Sequence, residues 1–277
     1  MMRKITVFGL VVLMIIMVAG CSTPASTNNS DSNNPVTTIA EKEYIPDNQI
    51  LDLYSNPDNY VGKHVILTGK IFNVDKDGNN YGFQMFNDVE NMDRNTVVTI
   101  SGSDLDIEED DYVKVDGTVI GTYEGTNAMG GTITAPKITA DSIEKSSYQD
   151  IVAPTEKEIV PKKATINQHG CVVSVKKIEF AENETRVYLQ VINNSKDNFS
   201  IYSFDSKIIQ DGKQYDEQMN YDADYPELQS DIYPGVTSEG VIAYSRIKQE
   251  DFQLIITGYS ENYNFDFNDY KFNIKVD

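Results

Sequence analysis

Apolar and polar positions divide the chain into stretches of different period. Residues 5–19 are uncharged and mostly apolar, directly behind Arg3 and Lys4. A positive start, a short apolar core and small residues at its end predict a secretory signal. The run falls short of the about 18 apolar residues that a membrane-spanning helix needs. Residues 22–38 are almost all Ser, Thr, Asn, Asp and Pro. Such a stretch has too little apolar surface to offset the entropy of ordering, which predicts a disordered tether.

The periodic part begins near Asp47. Ile50, Leu51, Leu53 and Tyr54 are spaced for a short amphipathic helix with Asp47 as its N-cap. Beyond Asn56-Pro57-Asp58 the period falls to two. Residues 64–72 alternate, with Val65, Leu67 and Ile71 on one side. After a turn over 75–80, Tyr81, Phe83 and Met85 share one face of a second strand. Residues 95–100, 111–123 and 130–138 read as further strands, the last followed by 140–143. The 111–123 strand is interrupted at Gly117 and Gly121, where a barrel strand coils or bulges. A short helix and five strands in 47–145 predict a small Greek-key barrel.

Two prolines, Pro154 and Pro161, lie among mixed charges between 146 and 163, which marks a linker. Beyond it, 171–180, 184–193, 199–210, 238–245, 252–257 and 271–276 read as strands. Turn signals such as Asn193-Asn194, Asp211-Gly212 and Pro234-Gly235 separate them. Short strands at this spacing predict a β-sandwich. The expected plan is all-β: signal 1–20, tether 21–46, barrel 47–145, linker 146–163 and sandwich 164–277.

Three stretches resemble known families. Val18-Ala19-Gly20-Cys21 resembles the bacterial lipobox. That resemblance implies cleavage ahead of Cys21, a diacylglycerol on its sulfur and a mature chain held at the outer face of the cell membrane. The same residues also fit an ordinary signal peptide, or an uncleaved anchor, with a chance Cys. Asn56-Pro-Asp-Asn-Tyr60-Val-Gly62-Lys-His-Val65, followed by Thr68-Gly69, resembles the opening of OB-fold, anticodon-binding-like domains of Gram-positive lipoproteins. Asp110-Asp111-Tyr112-Val113 with Val115, Gly117 and Gly121 resembles the fourth strand of that group. Val187 to Asn194, then Asp211-Gly212 and Pro234-Gly235, resemble the telokin-like, immunoglobulin-like domains of secreted Gram-positive proteins. The second and third likenesses imply folds and carry no catalytic residue with them.

Charge narrows the partners. The chain has 277 residues and a formal net charge of −20, which becomes −22 without Arg3 and Lys4. Residues 48–145 hold 17 acids and 7 bases, a net of −10. An OB-like barrel invites a nucleic-acid reading through Tyr81, Phe83 and Phe86. Single-strand binders need a positive groove beside their aromatics, so those rings are read as barrel core and rim, with no nucleic-acid partner. The acidity fits an extracytoplasmic protein or one that meets cations or basic partners. With lipid on Cys21, the second cysteine, Cys171, has no intrachain partner; it sits in an apolar segment and is read as a buried small hydrophobe.

The densest chemistry is acidic. Six carboxylates fall within 104–111, and Asp104, Asp106, Glu108 and Asp110 are the candidate calcium ligands, since calcium takes six to eight oxygens. The plainer reading is a solvated loop. Asp75-Lys76-Asp77-Gly78-Asn79 begins like a calcium loop but has Phe86 where the twelfth-position Glu belongs, and reads as a hairpin turn. The two histidines, His64 and His169, lie in different units, and no nucleophile elbow or His-Glu-x-x-His occurs. The expectation is a non-catalytic, lipid-anchored surface protein without a cofactor, meeting a protein or cell-wall glycan. The alternatives are an accessory subunit of a cell-envelope complex and a hydrolase of wall polymer.

Overall fold

The computed structural model describes residues 41–102, 105–126, 130–262 and 264–276. The signal, Cys21, most of the expected tether and Asp104 lie outside the described residues. The described chain is all-β, and residues from Lys42 onward belong to one compact unit. Among the described residues no helix is long and apolar enough to cross a membrane.

Five strands close into a barrel: β1 (His64–Asp77), β2 (Asn80–Asp88), β3 (Asp93–Ser101), β4 (Tyr112–Thr126) and β5 (Thr132–Ser146), in the order β1-β2-β3-β5-β4. Neighbours run antiparallel except β3 and β5, which are parallel. The period-two pattern fills the interior: Val65, Leu67, Ile71, Tyr81, Phe83 and Met85 are all buried. β4 shifts register at Asp116/Gly117 and Val119/Gly121, the two expected interruptions. Gly117 is required by space, since a Cβ there would sit 2.6 Å from the Thr139 carbonyl oxygen.

Helix α1 (Ile50–Ser55) plugs the barrel with Leu53, which is fully buried. Two expectations fail at this helix. Asp47 lies in a preceding 3₁₀ turn and does not cap it; Gln49 holds the N-cap place without a side-chain bond. Leu51 points away from the core and is 62% exposed, because the helix is too short to bury more than one side. The end of the expected tether is also structured. Ile45 is buried in the barrel core, and its N–H donates to the His64 carbonyl at 2.8 Å.

The stretch 146–163, expected as a linker, is built into the fold. It forms α2 (Tyr148–Ile151) and β6 (Thr155–Ile159). The remaining strands are β7 (Thr165–Gln168), β8 (Cys171–Ala181), β9 (Glu184–Asn193), β10 (Phe199–Ile201), β11 (Lys207–Gln210), β12 (Lys213–Asp216), β13 (Asp231–Ile232), β14 (Thr237–Ser245), β15 (Phe252–Ile256), β16 (Gly258–Ser260) and β17 (Tyr270–Ile274). They make three sheets: β14-β9-β8-β6 with β7 also on β8, β12-β11-β15-β17, and β13-β10-β16. One hydrophobic core joins all three, drawing Val173 and Phe180 from β8, Leu189 from β9, Phe199 from β10, Leu254 from β15 and Phe272 from β17. Cys171 lies in that core, 1% exposed, and burial pushes its thiol up. Asp211-Gly212 makes the hairpin turn that its sequence promised, with φ of 52° and 73°.

Candidate functional site

Among the described residues of the acidic run, the carboxylates lean toward two different cations. Asp106 is fully exposed and lies 3.6 Å from Lys145, while Asp110 lies 3.3 Å from Lys70, on a different cation. The Glu108 N–H donates to the Asp111 carboxylate at 2.8 Å, and Asp111 also pairs with Lys145 at 3.0 Å. Two different ammonium groups therefore pair with this exposed loop ahead of β4. Among the described residues, the His/Asp group whose ligand atoms do converge is His64, Asp116 and Asp141, within 4.8 Å of one another on the barrel wall. The Lys42 ammonium sits there, 2.8 Å from Asp141 and 3.8 Å from Asp116, and the Tyr44 hydroxyl donates to Asp116 at 2.9 Å. That group ties the chain ahead of α1 to the barrel.

A second acidic cluster is buried. Arg186 on β9 is fully enclosed and faces Glu179 at 2.9 Å and Glu184 at 2.8 Å. Its remaining donors go to the Ala153 carbonyl at 2.8 Å and the Thr155 hydroxyl at 2.7 Å. Glu179 also accepts from Gln149, Tyr188 and Lys177, and Glu184 from Tyr225. Burial pushes the Glu179 carboxyl up, but the bonds from Lys177, Arg186 and Tyr188 outweigh it and hold the group below its ordinary value. Burial first, then Glu184, raises the Tyr225 phenol. Every polar atom of the guanidinium is spent on the protein, which marks this cluster as a structural lock. It fastens the 149–155 stretch onto the sheet, beside the barrel contacts of Lys70 with Asp222 at 2.9 Å and Tyr112 with the Asp222 carbonyl at 3.2 Å.

The surface with spare chemistry lies at one end of the second sheet system. The sequence predicts one strand over 199–210. The structure breaks it into β10, a 3₁₀ turn (Ser203–Asp205) and β11. Ser206 makes the break: it is buried, its hydroxyl donates to the Ser203 carbonyl and it accepts from the Tyr244 hydroxyl at 2.6 Å. The turn lifts Tyr202 and Phe204 out of the sheet as a stacked pair with centroids 5.3 Å apart. Tyr259 on β16 joins them, 6.0 Å from Tyr202. Gly258 before it must be glycine, since a Cβ would meet the Phe199 ring at 2.4 Å. Phe265, stacked on His169 at 4.5 Å, lines the same hollow.

These rings edge a shallow hollow of about 630 Å³. Phe204, Tyr259 and Phe265 are 57%, 47% and 41% exposed; an isolated surface ring would need no explanation, but several around one hollow do. Asp205, Glu261 and Asp266 also line the hollow, and among the described residues no Lys or Arg does. Asp205 accepts from the Tyr259 hydroxyl at 3.1 Å, and that bond raises the Tyr259 phenol. None of these residues stood out in the sequence as a site. The signal available was the run Tyr202-Ser203-Phe204-Asp205, two aromatics and an acid inside a stretch read as strand.

No family model matches the chain, and no curated protein does. A solved structure described as a functionally unknown protein from Listeria monocytogenes EGD-e matches over 44% of this chain and 88% of its own, at 10% identity and a TM-score of 0.34. That likeness is too slight to bear on fold or function.

Proposed function

We propose that this chain is a lipid-anchored, non-catalytic binding protein of the outer cell surface, and that it binds through the aromatic row beside β16. One observation carries the reading: Tyr202, Phe204 and Tyr259 cluster at the surface and line one hollow with Phe265, three of these four rings being more than 40% exposed. Leaving apolar surface in water forgoes about 25 cal/mol per Å². Rings held by one another and by a buried serine are pre-ordered, so a ligand would lose little side-chain entropy on meeting them. The address rests on Arg3, Lys4, the apolar run and Val18-Ala19-Gly20-Cys21. Two acyl chains on Cys21 give stable membrane attachment where a single chain does not.

Two measurements test the two halves. Intact mass of membrane-extracted protein should show a chain that starts at Cys21 and carries diacylglycerol, and Cys21→Ala should release the protein to the medium. A lipid-free mature mass would remove the anchor. For the surface, wild type and a Phe204→Ala/Tyr259→Ala double variant are applied to peptide and wall-glycan arrays. A probe kept by wild type and lost by the variant, at equal melting temperature, supports the site. A probe kept equally by both, or no probe at all, overturns it.

A further inference from the structure

We infer that the occupant of the aromatic row is an extended, lysine- or arginine-bearing segment of a partner protein. This rests on the reading that the row is the binding surface, and adds what it binds. The first argument is charge. The hollow is lined by Asp205, Glu261 and Asp266 and, among the described residues, by no basic side chain. Lys207 follows the turn, but its ammonium is taken by the Phe204 carbonyl at 3.0 Å and by Asp216 at 3.1 Å. Ring faces attract cations, and carboxylates beside them add a second, additive attraction. A neutral sugar would use the rings and donate hydroxyls to the carboxylates but leave their charge unbalanced; an ammonium or guanidinium uses the rings and balances that charge.

The second argument is the sheet edge. β16 pairs with β10 through Phe199↔Ser260, Ser200↔Tyr259 and Ile201↔Gly258. It stands last in the order β13-β10-β16, and among the described residues no strand pairs with its other side. An edge beside a side-chain platform is the geometry that takes an added strand: main-chain groups supply affinity and alternate side chains reach the surface for specificity. A small free amine would make no use of that edge. The 630 Å³ hollow is lined by Ser260 and Tyr259 of β16 itself, so a segment paired to that edge would lie beside the rings.

The test uses the full-length lipoprotein in detergent and fluorescently labelled peptides of one length, read by anisotropy. One peptide alternates lysine with valine and threonine; its counterpart carries glutamate in place of lysine. A chitin-type oligosaccharide is the neutral probe. The lysine peptide should bind, more weakly as salt rises, and the glutamate peptide should not. Phe204→Ala/Tyr259→Ala and Asp205→Asn/Glu261→Gln should each weaken binding about tenfold. Asp106→Asn/Asp110→Asn removes the same number of charges from the loop before β4 and should leave binding unchanged. Equal weakening by that control, or no effect of either site variant, would reduce the result to general attraction by an acidic protein and overturn the inference. Binding of the oligosaccharide alone, lost in Phe204→Ala/Tyr259→Ala, would keep the surface and overturn its cationic occupant. Binding of neither probe overturns the inference as well.

Discussion

The carboxylates around Arg186 and those before β4 are the same chemistry in opposite settings. Glu179 and Glu184 are 3% and 5% exposed and accept bonds from a guanidinium, two phenols, an ammonium and two amides. Asp106 and Asp110 stand in water with one long ion pair each, at 3.6 and 3.3 Å. In sequence the second group is the conspicuous one, because it is a run. In the fold the first group carries the energy, because desolvation makes each partner indispensable. Density of charge along a chain marks exposure, and isolated charges inside an alternating strand mark the places where burial has to be compensated.

Breaking the buried group should give the largest effect. Arg186→Met leaves two enclosed carboxylates without their cation and is expected to cost about 3–5 kcal/mol in urea unfolding. Adding Glu179→Gln and Glu184→Gln to it should recover most of that loss; a loss under about 1 kcal/mol for the single variant would mean water reaches the cluster. Glu179→Gln alone should cost about 1–3 kcal/mol, since shape survives while a charged acceptor is lost. Its pH signature has a fixed sign. The folded Glu179 carboxyl titrates below its unfolded value of about 4.3, so its contribution is whole above that pH and is lost as pH falls through the folded value. Wild type should lose stability more steeply than Glu179→Gln below about pH 4.3. Tyr244→Phe removes the hydroxyl that fixes Ser206 and should cost about 1 kcal/mol. It should also weaken the lysine peptide, because the turn carrying Phe204 then loses a support.

How much of this was legible follows from range. The barrel interior could be read because Val65, Leu67, Ile71, Phe83 and Met85 report their side of a strand through period two alone. Asp211-Gly212 could be read because a two-residue turn is a local matter. The aromatic row could not. Phe199 and Ile201 lie on one side by alternation and Ile208 on the other, a change of phase with no Gly or Pro to mark it, and the turn there is held by Tyr244, 38 residues from Ser206. β6 was hidden for another reason: Thr-Glu-Lys-Glu-Ile is polar, yet an edge strand needs a single ladder, here to β8. Arg186 lies on a strand whose core side is Val187, Leu189 and Val191, so alternation puts it outside. It is buried there because 149–155 and Tyr225 cover that face, and a cover that distant leaves no mark on the strand's own pattern.

The smallest expected effect tests the exposed half of the comparison. Asp106→Asn/Asp110→Asn should change stability by no more than about 0.5 kcal/mol, because each side chain is in water and its ion pair is screened there. Millimolar calcium should leave the melting temperature of wild type where it is. Calcium would have to displace Lys145 from Asp106 and Asp111 and Lys70 from Asp110, and then draw together side chains that now lean toward two different ammonium groups. A calcium-dependent rise in melting temperature, abolished by Asp106→Asn/Asp110→Asn, would reverse the ranking: the exposed run would then be an ion site that closes on binding, since a ligand held only by the folded chain stabilises it by mass action.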